Sequence, residues 1–243
     1  MSAIFRLGQM LLLLFLLRTV WEALYSGRES VDGISGQTMR VYLTVSTLQT
    51  FLIASTIAQA IDTRIQRGTI ATDMVRPVGF VYQMLAIDIG TVIGRLPFLI
   101  VAMPLTMLIG TLRPPSSVFD TGAYLMSLVL AYVVGMLIWL LVGLSGFWLV
   151  NAPGVSFLVA IVWSFLAGGS VPYWFLPAVL WRALEWLPFQ ATGFLPLSIY
   201  VGERSPQETV TAIGLQIGWI VVLSVLAAFV WSRAQRRIVV QGG

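Results

Sequence analysis

The chain is 243 residues long, 58% hydrophobic and only 10% charged, with a formal net charge of +4. Soluble domains carry about a quarter charged residues, so this composition excludes a soluble fold and points to an integral membrane protein. Cysteine and histidine are absent, which removes disulfides, thiol chemistry, zinc sites, His-based nucleophilic pairs and imidazole proton relays together.

At about 20 residues per span, the length leaves room for six or seven helices and no soluble domain of useful size. All fourteen basic residues are arginine, and the small net charge gives no support to a nucleic-acid role. The first predicted span covers residues 4–25, with Trp21 and Tyr25 as headgroup-level anchors. Its start resembles a secretory signal, but Arg18 interrupts the apolar run and no small-x-small cleavage site follows, which favours a retained helix. Arg18 and Glu22 lie four apart on one face, as a gate or substrate contact or as an interfacial ion pair.

Residues 26–38 read as a water-exposed loop, and the second span as 39–61. That span is dotted with small hydroxyl and amide side chains pointing in nearly every direction. Only Thr44, Ser55, Gln59 and Asp62 share a narrow face, and interhelical hydrogen bonding is the expected use. Residues 62–77 then form a charged connection. The connection opens at Asp62; Arg64 and Arg67 extend the helix past the membrane, and Gly68 takes the left-handed conformation that stops it. A helical turn follows from Thr69 to Val75, containing Ile70, Asp73 and Met74, with Thr69 as cap. Pro77 forces Arg76 out of helical geometry. By residues alone this is either a short rigid handle at the membrane surface or a basic loop without a partner.

The third span is predicted over 80–109, kinked by Pro97 and Pro104. Asp88 and Arg95 share a face but are separated by about 10 Å of rise, too far for a direct pair. Asp88 reads either as a functional intramembrane carboxylate or as a solvated residue near the cytoplasmic end. The fourth span covers 123–150, where Gly135, Gly143 and Gly146 read as close packing positions, and Asn151 to Gly154 as a tight turn. GLSGF at 143–147 also resembles the serine motif of rhomboid-type intramembrane proteases, but that chemistry needs a histidine base.

The fifth span is predicted over 155–172. Gly169, Pro172, Trp174, Pro177, Pro188 and Pro196 then divide 172–200 into short interfacial or re-entrant helices that cap the outer face. Ser205, Pro206 and Glu208 form a capping box that starts the sixth span, 206–231. The result is an all-α integral membrane fold of six transmembrane helices in one domain, with both termini on one side. Placing the termini and residues 62–77 in the cytoplasm puts Arg6, Arg64, Arg67, Arg76, Arg233, Arg236 and Arg237 inside, against Arg28, Arg40, Arg113, Arg182 and Arg204 outside. No internal repeat of the kind seen in secondary transporters is present.

The ordered segments IQRGTIATDMVRPV, FWLVNAPG, FLAGGSVPYWFLP, LPFQATGFLPLSIYVG and RRIVVQGG resemble the permease subunits of ABC-2 type transporters. Within these the chain is most similar to the small six-helix permeases of bacterial drug, antibiotic and bacteriocin export operons. The resemblance implies a bacterial inner-membrane exporter subunit that pairs with a second permease, identical or a paralogue, and rests on two copies of a cytoplasmic ATP-binding subunit. It also implies that the loop between spans two and three is the coupling helix, which falls on Arg67, Gly68, Thr69, Ile70, Arg76 and Pro77, with Asp73 and Met74 inside the same element. The short outer helices would cap a pathway lined by spans one, two and five. Members usually carry an amphipathic segment before the first span, whereas only Met1 to Arg6 precede it here.

The sequence has no GxxxxGK[ST] phosphate loop, so ATP and Mg are expected on the partner, with no cofactor or metal held by this chain. The cargo is expected to be amphiphilic or hydrophobic. The alternative reading is an ion-coupled carrier using Asp88 or Asp62. A serine hydrolase around Ser145 is the third.

Overall fold

The computed structural model describes residues 3–149 and 152–241. Helix α1 (Ala3–Leu24) leads into a short hairpin of β1 (Ser30–Val31) and β2 (Ile34–Ser35). Residues 26–38 are therefore not wholly loop. Asp32 and Gly33 both take positive φ, 48° and 80°, which is the geometry of a tight two-residue hairpin turn. Ser35 caps the next helix by accepting the Thr38 amide at 3.0 Å.

The second predicted span is broken in two: α2 (Gly36–Ile53) and α3 (Ile57–Arg67), separated at Ala54 to Thr56. After Gly68 and Thr69 comes α4 (Ile70–Met74). The third span is likewise divided, into α5 (Phe80–Ile93) and α6 (Leu99–Ile109), joined by a tighter turn at Leu96–Phe98 with Pro97 in it. Pro97 thus ends a helix, and Pro104 stays inside α6.

Helix α7 (Val118–Ser145) starts five residues earlier than predicted because Ser117 accepts the Asp120 amide at 3.0 Å and caps it. The helix ends at Ser145, with Gly146 as its cap, short of the predicted Val150, which lies with Asn151 outside the described residues. The chain is already helical from α8 (Ala152–Leu166). Two short helices, α9 (Ala178–Leu184) and α10 (Phe194–Tyr200), precede α11 (Pro206–Gln241). The capping box at Ser205 and Glu208 forms as read, with Ser205 N donating to Glu208 Oε2 at 2.8 Å and Glu208 N to Ser205 Oγ at 3.3 Å. The described tail extends α11 ten residues beyond the predicted boundary at Trp231.

Among the described residues five helices are long and apolar enough to cross a membrane: Leu7–Leu24, Gly36–Arg67, Phe80–Ile109, Val118–Ser145 and Pro206–Arg236. The fifth predicted span is shorter, an apolar helix over Pro153–Leu166. Helix α7 is the centre of the bundle, packed against α3, α10 and α11, while α1 lies against α2 and α6. Gln216 of α11 clasps α7, donating to Ser127 O at 3.0 Å and to Ala191 O at 2.8 Å while accepting from Ser127 Oγ at 2.9 Å. Gly143 is where α7 meets α3: a Cβ there would lie 2.8 Å from Ile61 Cδ1 and 3.0 Å from Ala58 Cα.

The segment after α8 departs from a uniform interfacial cap. Residues 190–199 are all buried in the core, so α10 lies inside the bundle and not on its surface. Phe194 stacks on Tyr173 at 4.8 Å and meets Trp174 edge-on at 5.0 Å. Only α9 and its flank remain exposed, with Val179 and Trp186 as the most open residues. Burial pushes the Tyr173 phenol to about 12, so it stays protonated and donates to Leu166 O.

Gly143→Val is expected to destabilise the bundle by roughly 1–3 kcal/mol, because the neighbour at 3.0 Å is backbone and cannot rotate away. Gly214→Ala, where a Cβ meets nothing within 4 Å, is expected to leave the thermal midpoint in detergent unchanged or raised. Equal midpoints for wild type and Gly143→Val would contradict so close a crossing.

Candidate functional site

The connection 62–77 is built from three helices that meet at one end of the bundle. Gly68 terminates α3 with φ 66°, letting its own amide reach Ile65 O at 3.1 Å and the Thr69 amide reach Arg64 O at 3.1 Å. A residue with a Cβ would be strained there, and glycine is not. The chain can therefore reverse within two residues and lay α4 against the end of α3. Thr69 occupies the capping position but its side chain makes no capping hydrogen bond.

Asp73 is the hub. It is buried, and its Oδ2 accepts from Arg64 Nε at 2.9 Å while Oδ1 lies 3.4 Å from Arg76 Nη2. Arg64 also donates to Ala60 O at 2.9 Å. From α5, Gln83 Nε2 donates to Asp73 O at 2.9 Å and to Val78 O at 2.6 Å. Removing either partner of a pair at a buried carboxylate is costly, because it leaves a charge without compensation away from solvent. Helices α3, α4 and α5 are thus tied into one block through Arg64, Asp73 and Gln83.

The ten predicted site residues divide into two groups. Ile70 and Asp73 are buried and Arg64 and Met74 are partly buried, all facing the block. Arg67, Gly68, Thr69, Arg76 and Pro77 are exposed. Asp62 does neither job: it faces α8, where Ser156 Oγ donates to its Oδ2 at 3.3 Å. The presented surface also includes Ala71, Thr72, Val75 and Val78, with Val75 86% exposed. The sequence reading passed over these. The helical period gives the signal for α4, since Ala71, Thr72 and Val75 alternate with Ile70, Asp73 and Met74.

The same block reaches the break between α2 and α3. Asp88 of α5 is fully buried and not solvated, and its Oδ1 accepts from Thr56 N at 2.6 Å and Thr56 Oγ1 at 3.1 Å. Its Oδ2 accepts from Tyr132 of α7 at 3.0 Å. Arg95, also buried, donates to Leu52 O at 3.3 Å and to Ala54 O. A carboxylate therefore sits at the amide-rich start of α3 and a guanidinium at the carbonyl end of α2, each complementing the helix dipole it faces.

At the opposite end, Arg18 and Glu22 form the predicted pair at 2.6 Å, both side chains substantially exposed, and Arg18 also donates to Ile109 O. The predicted outer-cap residues are drawn onto α2. Tyr42 donates to Gly168 O at 2.7 Å and Ser46 to Gly169 O at 2.7 Å, while Trp21 Nε1 donates to Ser170 O at 3.2 Å. Pro172 and Pro177 precede the short turn holding Trp174 and α9, and Pro188 accepts the Ala191 amide at 3.2 Å. Pro196 is buried inside α10. Thr44 departs from its predicted face: it accepts the Thr111 amide at 3.0 Å, whereas Ser55, Gln59 and Asp62 line a cavity beside α8.

A protein-family model described as ABC-2 family transporter protein matches residues 8–242. No match was found among curated proteins or solved structures.

Asp73→Ala is expected to free α4 and release Arg64 from its ion pair, so limited trypsin digestion after Arg64 and Arg67 should be several-fold faster than in wild type. Unchanged cleavage would show that Asp73 does not hold the block. Asp88→Ala strands the Thr56 and Tyr132 donors, at a cost of roughly 2–4 kcal/mol, whereas Tyr132→Phe removes a single donor and costs about 1 kcal/mol. Unfolding of the two variants in detergent should preserve that order.

Proposed function

The chain belongs to the ABC-2 family of transporter proteins, and from that membership we propose that it is the membrane-spanning permease subunit of an ATP-binding cassette exporter. It works with a second permease, identical or a paralogue, and two copies of a cytoplasmic ATP-binding subunit. The cargo is amphiphilic or hydrophobic, and the work comes from ATP hydrolysed with Mg on the partner. The chain is a bacterial inner-membrane protein whose two termini and connection 62–77 face the cytoplasm.

The observation that carries this reading is the two-sided connection. One side is locked by Asp73 to Arg64 and by Gln83, and the other presents Arg67, Thr72, Val75 and Arg76 to solvent. A push on the exposed side displaces α3 and α5 together, because the Arg64–Asp73 pair and the Gln83 amide leave little slack between them. Asp88 and Thr56 pass that displacement to the break, where α3 can pivot on α2. Rigid segments joined at a discrete break are how packed helices convert a local push into a change of pathway.

Six spans are favoured by the depth that α8 covers. Its start lies beside Asp62, through Ser156, and its end beside Ser46, through Gly169. Helix α8 is 15 residues long, or about 22 Å at 1.5 Å per residue, most of a hydrocarbon core. Use of Asp88 as an ion-coupling carboxylate is disfavoured by its hydrogen bonds, since both oxygens already accept from the break and from Tyr132.

The natural sequence has no cysteine, so a single Val75→Cys reports on orientation and docking together. We expect it to react with an impermeant maleimide only from the cytosolic side, and to be protected when the ATP-binding subunit is co-expressed. Arg67→Glu should reduce co-purification of that subunit at least ten-fold and abolish transport. Labelling from the outside, or unchanged association of Arg67→Glu, would overturn the reading.

A further inference from the structure

Two cavities run end to end along one wall of the bundle. The first, about 620 Å³, lies near the connection and is lined by Gln59, Asp62, Gln66 and Ser156. The second, about 280 Å³, continues towards Gly169 and is lined by Ser46, Gln49, Thr50 and Thr192. Both are bordered by Ser55, Trp139 and Ala160, so they form one groove between α2–α3, α7 and α8. This groove lies within a single chain.

Among the described residues, two buried side-chain polar atoms have no hydrogen-bond partner: Asp62 Oδ1 and Gln49 Oε1. Both are acceptors, and both belong to residues in the wall of this groove. Asp62 is 6% exposed and Gln49 4%. The carboxylate has one weak donor, Ser156 at 3.3 Å, and the neighbouring Arg64 is committed to Asp73. Gln49 spends its amide on Thr192 O at 3.1 Å and leaves its carbonyl unused. A buried acceptor without a donor costs free energy, and a buried charge without a counter-charge costs more. An N–H donor relieves either of them, and at Asp62 a donor that is also positively charged relieves the second cost as well.

Resting on the exporter reading, we propose that this groove is a binding site for amphiphilic ammonium compounds. The protonated nitrogen pairs with Asp62 at the mouth, and the apolar part lies against Trp139 and Phe157. Gln49 offers a second acceptor in the α2 part of the groove, on the far side of the break from Asp62. The groove thus selects primary and secondary amines over anions of similar size.

The test uses the full chain in phosphatidylcholine nanodiscs, without ATP or partner, so that its outcome is separate from that of the docking experiment. Rhodamine 6G, a lipophilic cation with two N–H groups, is followed by fluorescence anisotropy, with fluorescein as the anionic comparison. Saturable binding of rhodamine 6G and none of fluorescein is expected. Asp62→Asn should weaken binding at least ten-fold and Asp62→Glu only slightly. Glu29→Gln, which removes an exposed charge on the hairpin, should change nothing.

Ala160→Trp provides an independent arm. Ala160 is exposed and borders both cavities, so the larger side chain fills the groove without entering the core, and it should abolish binding. Including phosphatidylethanolamine distinguishes two sources of the same chemistry. Asp62-dependent competition by this lipid assigns the site to an ammonium headgroup, and absence of competition assigns it to a non-lipid amine. Equal binding of fluorescein, or unchanged binding of rhodamine 6G by folded Asp62→Asn or Ala160→Trp, would overturn the proposal.

Discussion

Backbone amides and carbonyls freed inside a packed membrane bundle must find partners within the protein, and the break at Ala54 to Thr56 meets that demand with two charged side chains from one downstream segment. Asp88 takes the amide and hydroxyl of Thr56, and Arg95 takes carbonyls of Leu52 and Ala54. Because each charge also faces the helix end of opposite polarity, the arrangement satisfies hydrogen bonding and electrostatics at once. Tyr132 fastens it to the central helix α7. Removing the break would leave both charges buried without purpose, and removing the charges would leave the break without partners.

The geometry around this break relates the solvent-facing connection to the interior. Helix α3 is held at one end by Asp88 and at the other by the Arg64–Asp73 pair, and α5 supplies both Asp88 and Gln83. The close crossing at Gly143 sets Ala58 and Ile61 of α3 directly against the backbone of α7. A lever so constrained has its freedom at the two places where the helix is interrupted, Gly68 and Ala54 to Thr56. The groove carrying Asp62 and Gln49 lies along this same lever. Movement of α3 would alter its mouth, which links the proposed ammonium site to the connection 62–77.

Much of the architecture was legible in the sequence where it depends on local chemistry. Gly68 ends α3 in the left-handed conformation, Ser205 and Glu208 cap α11, and Arg18 pairs with Glu22, each because the residues concerned lie within four positions of one another. The hairpin at residues 30–35 carried a local signal too, the Asp-Gly dipeptide, which the loop reading passed over. The exposed half of the connection is legible as far as Val75 from the period of α4, whereas Val78 lies beyond Pro77 and outside that period.

The sequence by itself determined that this is a helical membrane protein without a nucleotide loop, and it located the connection between the second and third spans, because apolar length and short-range caps are properties of contiguous residues. Only the tertiary structure decided that α2 and α3 are separate helices, that Asp88 is buried, that Asp62 turns into a groove away from the connection, and that 190–199 lie in the core. Each of those depends on partners 32 to 94 or more residues distant, such as Asp88 for Thr56 and Ser156 for Asp62. A stretch such as Ala54 to Thr56 holds no proline or glycine to mark a break. What ends the helix there is a carboxylate and a guanidinium delivered from another helix, and no local pattern encodes their arrival.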